Sequence, residues 1–381
     1  MKLTILNEGI IWKDPRPKPA ALVAAKGNSV ALGGGEILHA MQVGTSRQSP
    51  DVRCMLTRSF DHGKTWSEPV PFPLETAANH TPSAALFSWS PDGALRAMLN
   101  CHKNVGKDDP RWKKENGGWV WTDSYWCESR DGGETWTKGN PIHPPHPVGG
   151  FSVVLSPIVE SPSGERMIVI EPMPSDTVET LHHEAAVVFN KNGSDKWAGK
   201  AMMAHDPAHR TFYFDPRIAK LKDGRFVAFY WSHDTKSDTS LQTTIGWSED
   251  GHVWSNPRTL PFWGFLTLPL VLNDGRLLAV YNHRREPQGV RCAISGDGGQ
   301  TWDMESEYVL WDQRVRRIVG ERASESIARK WEGNVLAEMF TSFQFGVPHP
   351  IQLDDGSVFV SFYATLEDGV THQRYLRMRI S

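Results

Sequence analysis

The chain lacks an excess of charge of either sign. Its 381 residues include 41 Lys and Arg and 44 Asp and Glu, which gives a formal net charge of −3. A surface that binds nucleic acid or an anionic membrane needs a clear excess of basic residues. The sequence also has no apolar run near the roughly 18 residues that a membrane-spanning helix requires. We therefore expect neither nucleic acid nor a membrane as a partner.

Cysteine is scarce as well. The four cysteines, Cys54, Cys101, Cys127 and Cys292, are far apart and form no C-x-x-C pair. This pattern predicts buried free thiols in a reducing compartment rather than a disulfide framework. The first residues show neither the basic region nor the apolar run of a secretory leader. Together these features lead us to expect a cytoplasmic protein.

Motifs that hold metals, phosphates or nucleotides are also missing. The sequence contains no H-E-x-x-H zinc pattern, no glycine-rich phosphate loop and no dinucleotide fingerprint. It therefore predicts no cofactor and no catalytic metal, and it leaves open a structural Ca²⁺ on a loop.

What the sequence does contain is one short turn motif in four copies, each after a stretch of β composition. The copies, called here the Ser-x-Asp turns, are Ser59–Trp66, Ser129–Trp136, Ser248–Trp254 and Ser295–Trp302. In each copy the Asp can accept N–H bonds across the turn, a Gly supplies a positive φ, and hydroxyl groups close the ends. The final Trp is expected to point back at apolar neighbours. Four copies in one chain indicate a repeat protein.

A second repeat is a β-hairpin with a tight glycine turn between two apolar runs, and Asp-Gly is its commonest form here. An Asp-Gly turn in this setting is the strongest short-range signal for a hairpin. The hairpin recurs six times, around Gly35, Gly93, Gly164, Gly224, Gly275 and Gly356. We place each turn between the first and second strands of one repeating unit.

The Ser-x-Asp turns match the Asp-box, and the chain resembles the sialidase superfamily. The resemblance implies an all-β fold, a six-bladed β-propeller of four-stranded antiparallel blades in one domain over residues 1–381. The hairpins place the blades at about 19–69, 79–139, 151–204, 211–260, 264–311 and 345–381. Residues 3–12 echo the strand after the fourth turn, so we expect this N-terminal strand to close the sixth blade. The insert 312–344, with a short helix near 322–331, is expected to form a loop over one face, and the segment 103–118, rich in Lys, Asp and Gly, is expected to form another loop.

Aligning the six hairpins on their glycines gives one equivalent position at the upper end of each second strand. These positions hold Gln42, Asn100, Glu171, Trp231, Asn282 and Tyr363. Polar side chains at the ends of apolar strands are what a pocket around the propeller axis needs. The same alignment adds candidates from neighbouring strand ends, namely His80, Asp215, Arg217, His233, Arg284 and His349.

Several of these candidates have a structural alternative. Gln42 and Asn100 could simply bond a loop at a strand end, and Trp231 could be blade packing as well as a sugar platform. Asp215 and Arg217 could form a structural salt bridge. We keep both interpretations open for each of these residues.

The resemblance also implies a chemistry: arginines that hold a substrate carboxylate, a Tyr nucleophile assisted by a Glu, and an Asp acid. A carboxylate at Glu171, behind an apolar strand, is costly unless it is paired or used. Our leading hypothesis assigns Glu171 and Tyr363 as nucleophile or base and lets Asp215 or His349 protonate the leaving oxygen. The substrate would be bound by Arg217, Arg284, His80, Gln42, Asn100, Trp231, His233 and Asn282.

The leading hypothesis is thus an exo-acting glycoside hydrolase on an acidic or uncommon sugar of a small saccharide. Of the arginine pattern that the family shows at the entry to its first blade, only Pro216-Arg217-Ile218 in the fourth blade is similar. The first alternative is a lyase that abstracts the proton α to a uronate carboxylate, with a His or Tyr base. The second is a propeller that binds carbohydrate without catalysis. All three have a carbohydrate partner.

Overall fold

Almost all the regular structure is β-strand. The computed structural model describes residues 2–13, 20–21, 28–45, 49–74, 79–106, 120–144, 150–174, 185–190, 197–323, 344–367 and 369–381. Within these ranges the single helix is a short 3-10 turn, Met304–Ser306. No helix in this part of the chain is long and apolar enough to cross a membrane.

The predicted hairpin turns are formed. Gly224 and Gly275, for example, have φ values of 93° and 90°, a left-handed conformation that a residue with a Cβ adopts only at a cost. Each turn therefore sends the chain back at the position where the sequence places a glycine, and the first two strands of each blade pair antiparallel.

The first half of the chain forms two leading strands and three blades. The leading strands are β1 (Leu3–Trp12) and β2 (Ala20–Ala21). Blade one consists of β3 (Asn28–Gly33), β4 (Glu36–Gly44), β5 (Arg53–Ser59) and β6 (Val70–Pro71). Blade two consists of β7 (His80–Trp89), β8 (Leu95–Lys103), β9 (Thr122–Ser129) and β10 (Asn140–Ile142). Blade three consists of β11 (Gly150–Val154), β12 (Val159–Glu160), β13 (Arg166–Pro174), β14 (Ala185–Asn190) and β15 (Trp197–Ala204).

The second half forms the other three blades. Blade four consists of β16 (Thr211–Lys220), β17 (Phe226–Asp234), β18 (Thr239–Ser240), β19 (Thr244–Ser248) and β20 (Arg258–Thr259). Blade five consists of β21 (Thr267–Val271), β22 (Leu277–His283), β23 (Gly289–Ser295), β24 (Tyr308–Asp312) and β25 (Arg317–Arg322). Blade six consists of β26 (Phe345–Gln352), β27 (Val358–Thr365), β28 (Thr371–Ile380) and β1.

The ring closes as predicted. Strand β1 pairs antiparallel with β28, from Leu3 opposite Ile380 to Trp12 opposite Gln373. Strand β2 adds a link that the sequence did not predict, because it pairs with both β28 and β4 and so joins blades six and one into one sheet. The predicted all-β, six-bladed propeller closed by the N-terminal strand is confirmed.

Part of the predicted insert 312–344 is a strand. Strand β25 pairs with β24 and gives blade five a fifth strand at its outer edge, where Gly320 lies against Ile5 of β1. Residues 324–343 lie outside the described residues, and so does most of the predicted helix near 322–331. Most of the predicted loop 103–118 lies outside them as well.

Blade packing follows from strand alternation. On β13, Ile168 and Ile170 belong to the apolar cluster shared with blade two, whereas Met167 and Val169 belong to the cluster shared with blade four. Successive side chains of a strand point to opposite faces, so a strand that is buried on both faces is apolar throughout. Six such clusters lie between the six pairs of adjacent blades.

The Ser-x-Asp turns lie at the opposite end from the strand ends that carry the candidate site, and they connect β5 to β6, β9 to β10, β19 to β20 and β23 to β24. In the last of them, Asp297 accepts hydrogen bonds from Ser295 Oγ at 2.7 Å and from the Thr301 N–H at 2.8 Å. Trp302 donates its indole N–H to Gly299 O at 3.0 Å and packs against Phe262 in the interface with blade four. The other three Trp residues likewise pack into the interface with the preceding blade.

The four cysteines are free and buried, as predicted. Burial raises the pKa of Cys54 to about 12 and that of Cys127 to about 12, and it also raises the pKa of Cys101 and Cys292. Three of the four lie in the apolar cluster between blades one and two.

We expect Asp61→Ala to lower the free energy of unfolding by about 1–2 kcal/mol, because it removes the acceptor of bonds from Ser59 and Thr65. Urea unfolding followed by tryptophan fluorescence measures this change. Lys64→Ala, an exposed residue of the same turn, is the matched control and should leave the unfolding midpoint unchanged. Equal midpoints for the two variants would contradict the structural role of the aspartate.

Candidate functional site

At three of the six aligned strand-end positions, the side chain contacts the next blade. Asn100 spans blades two and three, where its Nδ2 donates to Val154 O at 3.1 Å and its Oδ1 accepts the Val154 N–H at 3.3 Å. Glu171 spans blades three and four, where its Oε2 accepts the Asp215 N–H at 3.0 Å. Trp231 of blade four stacks on Phe265 at the entry to blade five, with ring centroids 4.0 Å apart. Asn100, Glu171 and Trp231 therefore each join two neighbouring blades.

Glu171, Asp215 and Arg217 form one polar cluster at the upper ends of blades three and four. A bulge between Phe214 and Arg217 interrupts the pairing of β16 with β17, and Asp215 within it has φ 49°. A left-handed conformation in a residue other than glycine costs about 1–3 kcal/mol and marks a position that its surroundings impose. The bulge turns the Asp215 N–H toward Glu171.

The arginine of this cluster is fixed by two oxygens. Arg217 donates Nη2–H to Asp215 Oδ1 at 3.1 Å and Nη1–H to Pro216 O at 3.0 Å. Glu171 is 5% exposed, and the side chain of Arg217 is 8% exposed, whereas that of Asp215 is 25% exposed. Asp215 is therefore the most accessible member of the cluster, and Arg217 sets its orientation.

Blade six contains a counterpart of this bulge. The pairing of β26 with β27 is interrupted between Gly346 and His349, and Val347 within the bulge has φ 51°. In both blades a proline follows the left-handed residue, so that Pro216 precedes Arg217 and Pro348 precedes His349. Arg217 and His349 occupy equivalent positions on their strands. Proline has no N–H to leave unpaired, which makes it compatible with a bulge. The sequence signal for both features was this proline.

His349 is a half-buried histidine with a neutral ring. Its Nδ1 accepts the Ser29 N–H at 3.3 Å, so the proton of the neutral ring lies on Nε2. Burial, with a smaller contribution from the charge of Arg217, lowers the pKa of His349 to about 3. A ring in this state neither protonates a leaving group nor accepts a proton at Nε2 near neutral pH. The structure thus disfavours the role of acid that the sequence analysis allowed His349.

A fully buried histidine, His39, lies behind it. His39 shares a hydrogen bond of 2.8 Å with Ser29 Oγ, and burial followed by the nearby His349 lowers its pKa to about 3. His39 Nε2 is buried and has no hydrogen-bond partner in the described part of the chain. His39 was not predicted as a site residue, because this histidine lies within a strand and in no motif.

Asn282, Arg284 and Tyr363 form a separate group on blades five and six. A Cβ on Gly346 would lie 2.6 Å from Arg284 Nη2, 3.1 Å from Asn282 Nδ2 and 3.1 Å from the Tyr363 hydroxyl. Arg284 also donates to Phe345 O and lies over the Phe345 ring, 4.1 Å from its centroid. These three groups converge on one point of the inner strand β26, which only glycine leaves open.

The predicted pairing of Glu171 with Tyr363 does not form as a contact. Glu171 lies on blade three and Tyr363 on blade six, which are opposite each other in a ring of six. Glu171 instead lies against Asp215, and Tyr363 lies near Arg284. Of the predicted catalytic residues, Glu171 and Asp215 are therefore the two that the structure brings together.

The other predicted residues are mostly occupied within the fold. Trp231 is 3% exposed and stacks on both Phe214 and Phe265, which leaves almost no ring surface for a sugar. His233 Nε2 lies 3.0 Å from Asp238 Oδ1, and His80 Nε2 lies 2.9 Å from Asp123 Oδ2. Gln42 is buried on β4.

The comparisons with known proteins agree with this architecture. The chain matches the model of the BNR repeat-like domain over residues 35–360 and belongs to this family. No curated protein matches the sequence.

Solved structures resemble the chain at low identity. A protein of unknown function from Dyadobacter fermentans superposes with a TM-score of 0.72 at 20% identity, covering 100% of this chain and 99% of that one. An α-L-arabinanase from Penicillium chrysogenum, complexed with arabinobiose, gives 0.63 at 15% identity, covering 99% and 98%. The NanB sialidase from Streptococcus pneumoniae gives 0.62 at 12% identity, covering 97% and 70%. These likenesses establish a fold that glycoside hydrolases also adopt, as the sialidase resemblance implied.

The neutral histidines His39 and His349 predict how stability depends on pH. The folded protein binds fewer protons than the unfolded chain between pH 3 and 6.5, so stability is complete above pH 6.5 and falls toward pH 3. Each such histidine contributes a loss of about 2 kcal/mol between pH 6.5 and 5. We expect His39→Asn to flatten this dependence in urea unfolding at pH 5–7.

The matched control is His205→Asn, which replaces an exposed histidine. It should leave the slope of stability against pH as it is in the wild type. The assignment would be wrong if the two variants showed the same slope.

Proposed function

We propose that this protein is a glycoside hydrolase in which the carboxylates of Glu171 and Asp215 do the chemistry. One observation carries the proposal: two carboxylate residues from adjacent blades meet at a bulge whose left-handed residue is one of them. Backbone strain of this kind clusters at functional sites. A purely structural link between blades needs no carboxylate, because Asn100 makes the equivalent link with an amide.

Glycosidic bonds are cleaved by two carboxyl groups. One protonates the departing oxygen, and the other activates water or attacks the sugar carbon directly. Asp215 and Glu171 supply these two groups in our proposal. Azide rescue of Asp215→Ala and Glu171→Ala assigns the roles, because azide replaces the group that activates water or attacks the sugar.

We infer further that the substrate is a small saccharide with an acidic sugar, cleaved from its end. Arg217 lies directly beside Asp215, and Arg284 lies at the upper end of blade five. Guanidinium groups bind carboxylates through two parallel hydrogen bonds. Activity on glycosides of different acidic sugars identifies which sugar carries the carboxylate.

A uronate lyase is the second candidate, because one observation favours it. Tyr363 and Arg284 converge beside Gly346, which places a potential base next to a cation that could neutralise a substrate carboxylate. In this reading Tyr363 rather than Glu171 would be essential. His349 is not the base, since its proton lies on Nε2.

We expect Glu171→Gln and Asp215→Asn each to lower kcat about 10²- to 10⁴-fold, because each removes one group that transfers a proton or attacks. Gln at position 171 keeps an oxygen that accepts the Asp215 N–H, so the fold should be unchanged. The measurement is release of fluorophore from 4-methylumbelliferyl glycosides of arabinose, N-acetylneuraminate and uronates, with absorbance of unsaturated products recorded in parallel.

The matched controls lie at the lower end of the same hairpins. Glu165→Gln and Asp223→Asn replace carboxylates beside the turns of blades three and four and should keep full activity. Full activity of Glu171→Gln would remove our assignment. Absorbance without fluorophore, lost in Tyr363→Phe, would establish the lyase, and binding without turnover of any substrate would indicate a carbohydrate-binding propeller.

A further inference from the structure

A cation stacked on an aromatic ring lies at the upper rim of blades four and five. The Arg285 guanidinium carbon is 3.2 Å from the centroid of the Trp263 ring. Trp263 belongs to the connection from β20 to β21, and Arg285 follows β22, so both lie at the same end of the propeller as Asp215. Both residues are half-buried, which leaves part of the pair open to a ligand.

Arg285 has no acidic partner among the described residues. Within the described part of the chain its one hydrogen bond is long, from Nη2 to Ser240 O at 3.4 Å. Arginines elsewhere in these hairpins differ, since Arg276 is paired with Asp274 at 2.7 Å and Arg291 with Glu307 at 3.3 Å. Burial lowers the pKa of Arg285 by removing water from the guanidinium, and no acidic side chain among the described residues offsets this loss.

The pair is held in place by its neighbours. His283 donates its Nδ1–H to Trp263 O at 3.2 Å, which fixes the backbone below the indole ring. Ser240, whose carbonyl faces Arg285, accepts the Trp231 indole N–H on its hydroxyl at 3.2 Å. Groups whose positions are fixed before binding lose less entropy when a ligand arrives.

The pair is also connected to the proposed catalytic cluster. Trp231 stacks on Phe214 with ring centroids 4.5 Å apart, and Phe214 directly precedes Asp215. A ligand that extends from Asp215 toward blade five would therefore cross the Phe214–Trp231 region and meet Arg285.

We propose that Trp263 and Arg285 form a second subsite, which binds an acidic sugar residue adjacent to the one that is cleaved. This inference rests on the proposed function, in that it takes the ligand to be a saccharide. The guanidinium donates to the carboxylate of that sugar, and the flat guanidinium–indole stack orients it. The substrate then carries at least two sugars and a negative charge on the second.

The test is binding of short sulfur-linked oligosaccharides of glucuronate, galacturonate or N-acetylneuraminate, which resist hydrolysis. Each is compared with its carboxyl-reduced, neutral form by isothermal titration calorimetry on the wild-type protein. We expect at least one acidic form to bind more tightly than its neutral form, and Arg285→Gln to weaken that form about 10- to 100-fold. Binding of the neutral form should change little.

Arg258→Gln is the matched control, because Arg258 also stacks on a tryptophan, Trp247, but at the opposite end of blade four. It should leave the preference for the acidic form intact. The proposal is overturned if no acidic form binds better than its neutral form, or if Arg285→Gln keeps the preference. Turnover by Glu171→Gln would remove the proposed catalytic role alone, since the calorimetry requires no cleavage.

Discussion

The pairing of the first strand with the last is the contact on which the rest of this architecture depends. Every blade is apolar on two faces and is stable only when a neighbour covers each face. Strand β1 supplies the outer strand of blade six, and the backbones of Lys2 and Ser381 exchange two hydrogen bonds, at 2.9 and 3.0 Å. Without this contact the ring would open between blades six and one and expose the cluster around Phe359 and Tyr375.

The strength of the sequence signal decided which parts of the fold could be predicted. Glycine turns such as those at Gly224 and Gly275 fix where a hairpin reverses, because few residues tolerate a positive φ. Strands of two residues, such as β12 and β18, could not be predicted, since so short a segment has no periodicity to detect. The link formed by β2 was missed for the same reason.

The sequence predicted where the candidate residues lie along their strands, but it did not predict which residues they contact. Counting seven residues from each turn glycine gave Asn100, Glu171 and the four other strand ends, because strand register is a matter of counting. The partner of each side chain depends on how the next blade is placed, and that placement comes from packing rather than from local sequence. Asn100 and Glu171 therefore looked equivalent, although one bonds a regular strand and the other a bulge.

The protonation state of His349 was the property that the sequence predicted least well. In the sequence His349 was one polar residue between two prolines and could serve as acid, base or ligand. Its neutrality follows from the Ser29 N–H, which comes from a residue 320 positions away in the chain, and from its burial. Contacts of this range cannot be derived from a local motif.

The four cysteines have a practical consequence. A thiol reacts through its thiolate, and burial with a raised pKa suppresses that form at all four positions. The native cysteines are therefore expected to react little with thiol-labelling reagents. Two cysteines introduced at exposed positions on different blades would therefore react with maleimide dyes while the native thiols do not, so the distance between those blades can be followed spectroscopically without first removing native residues.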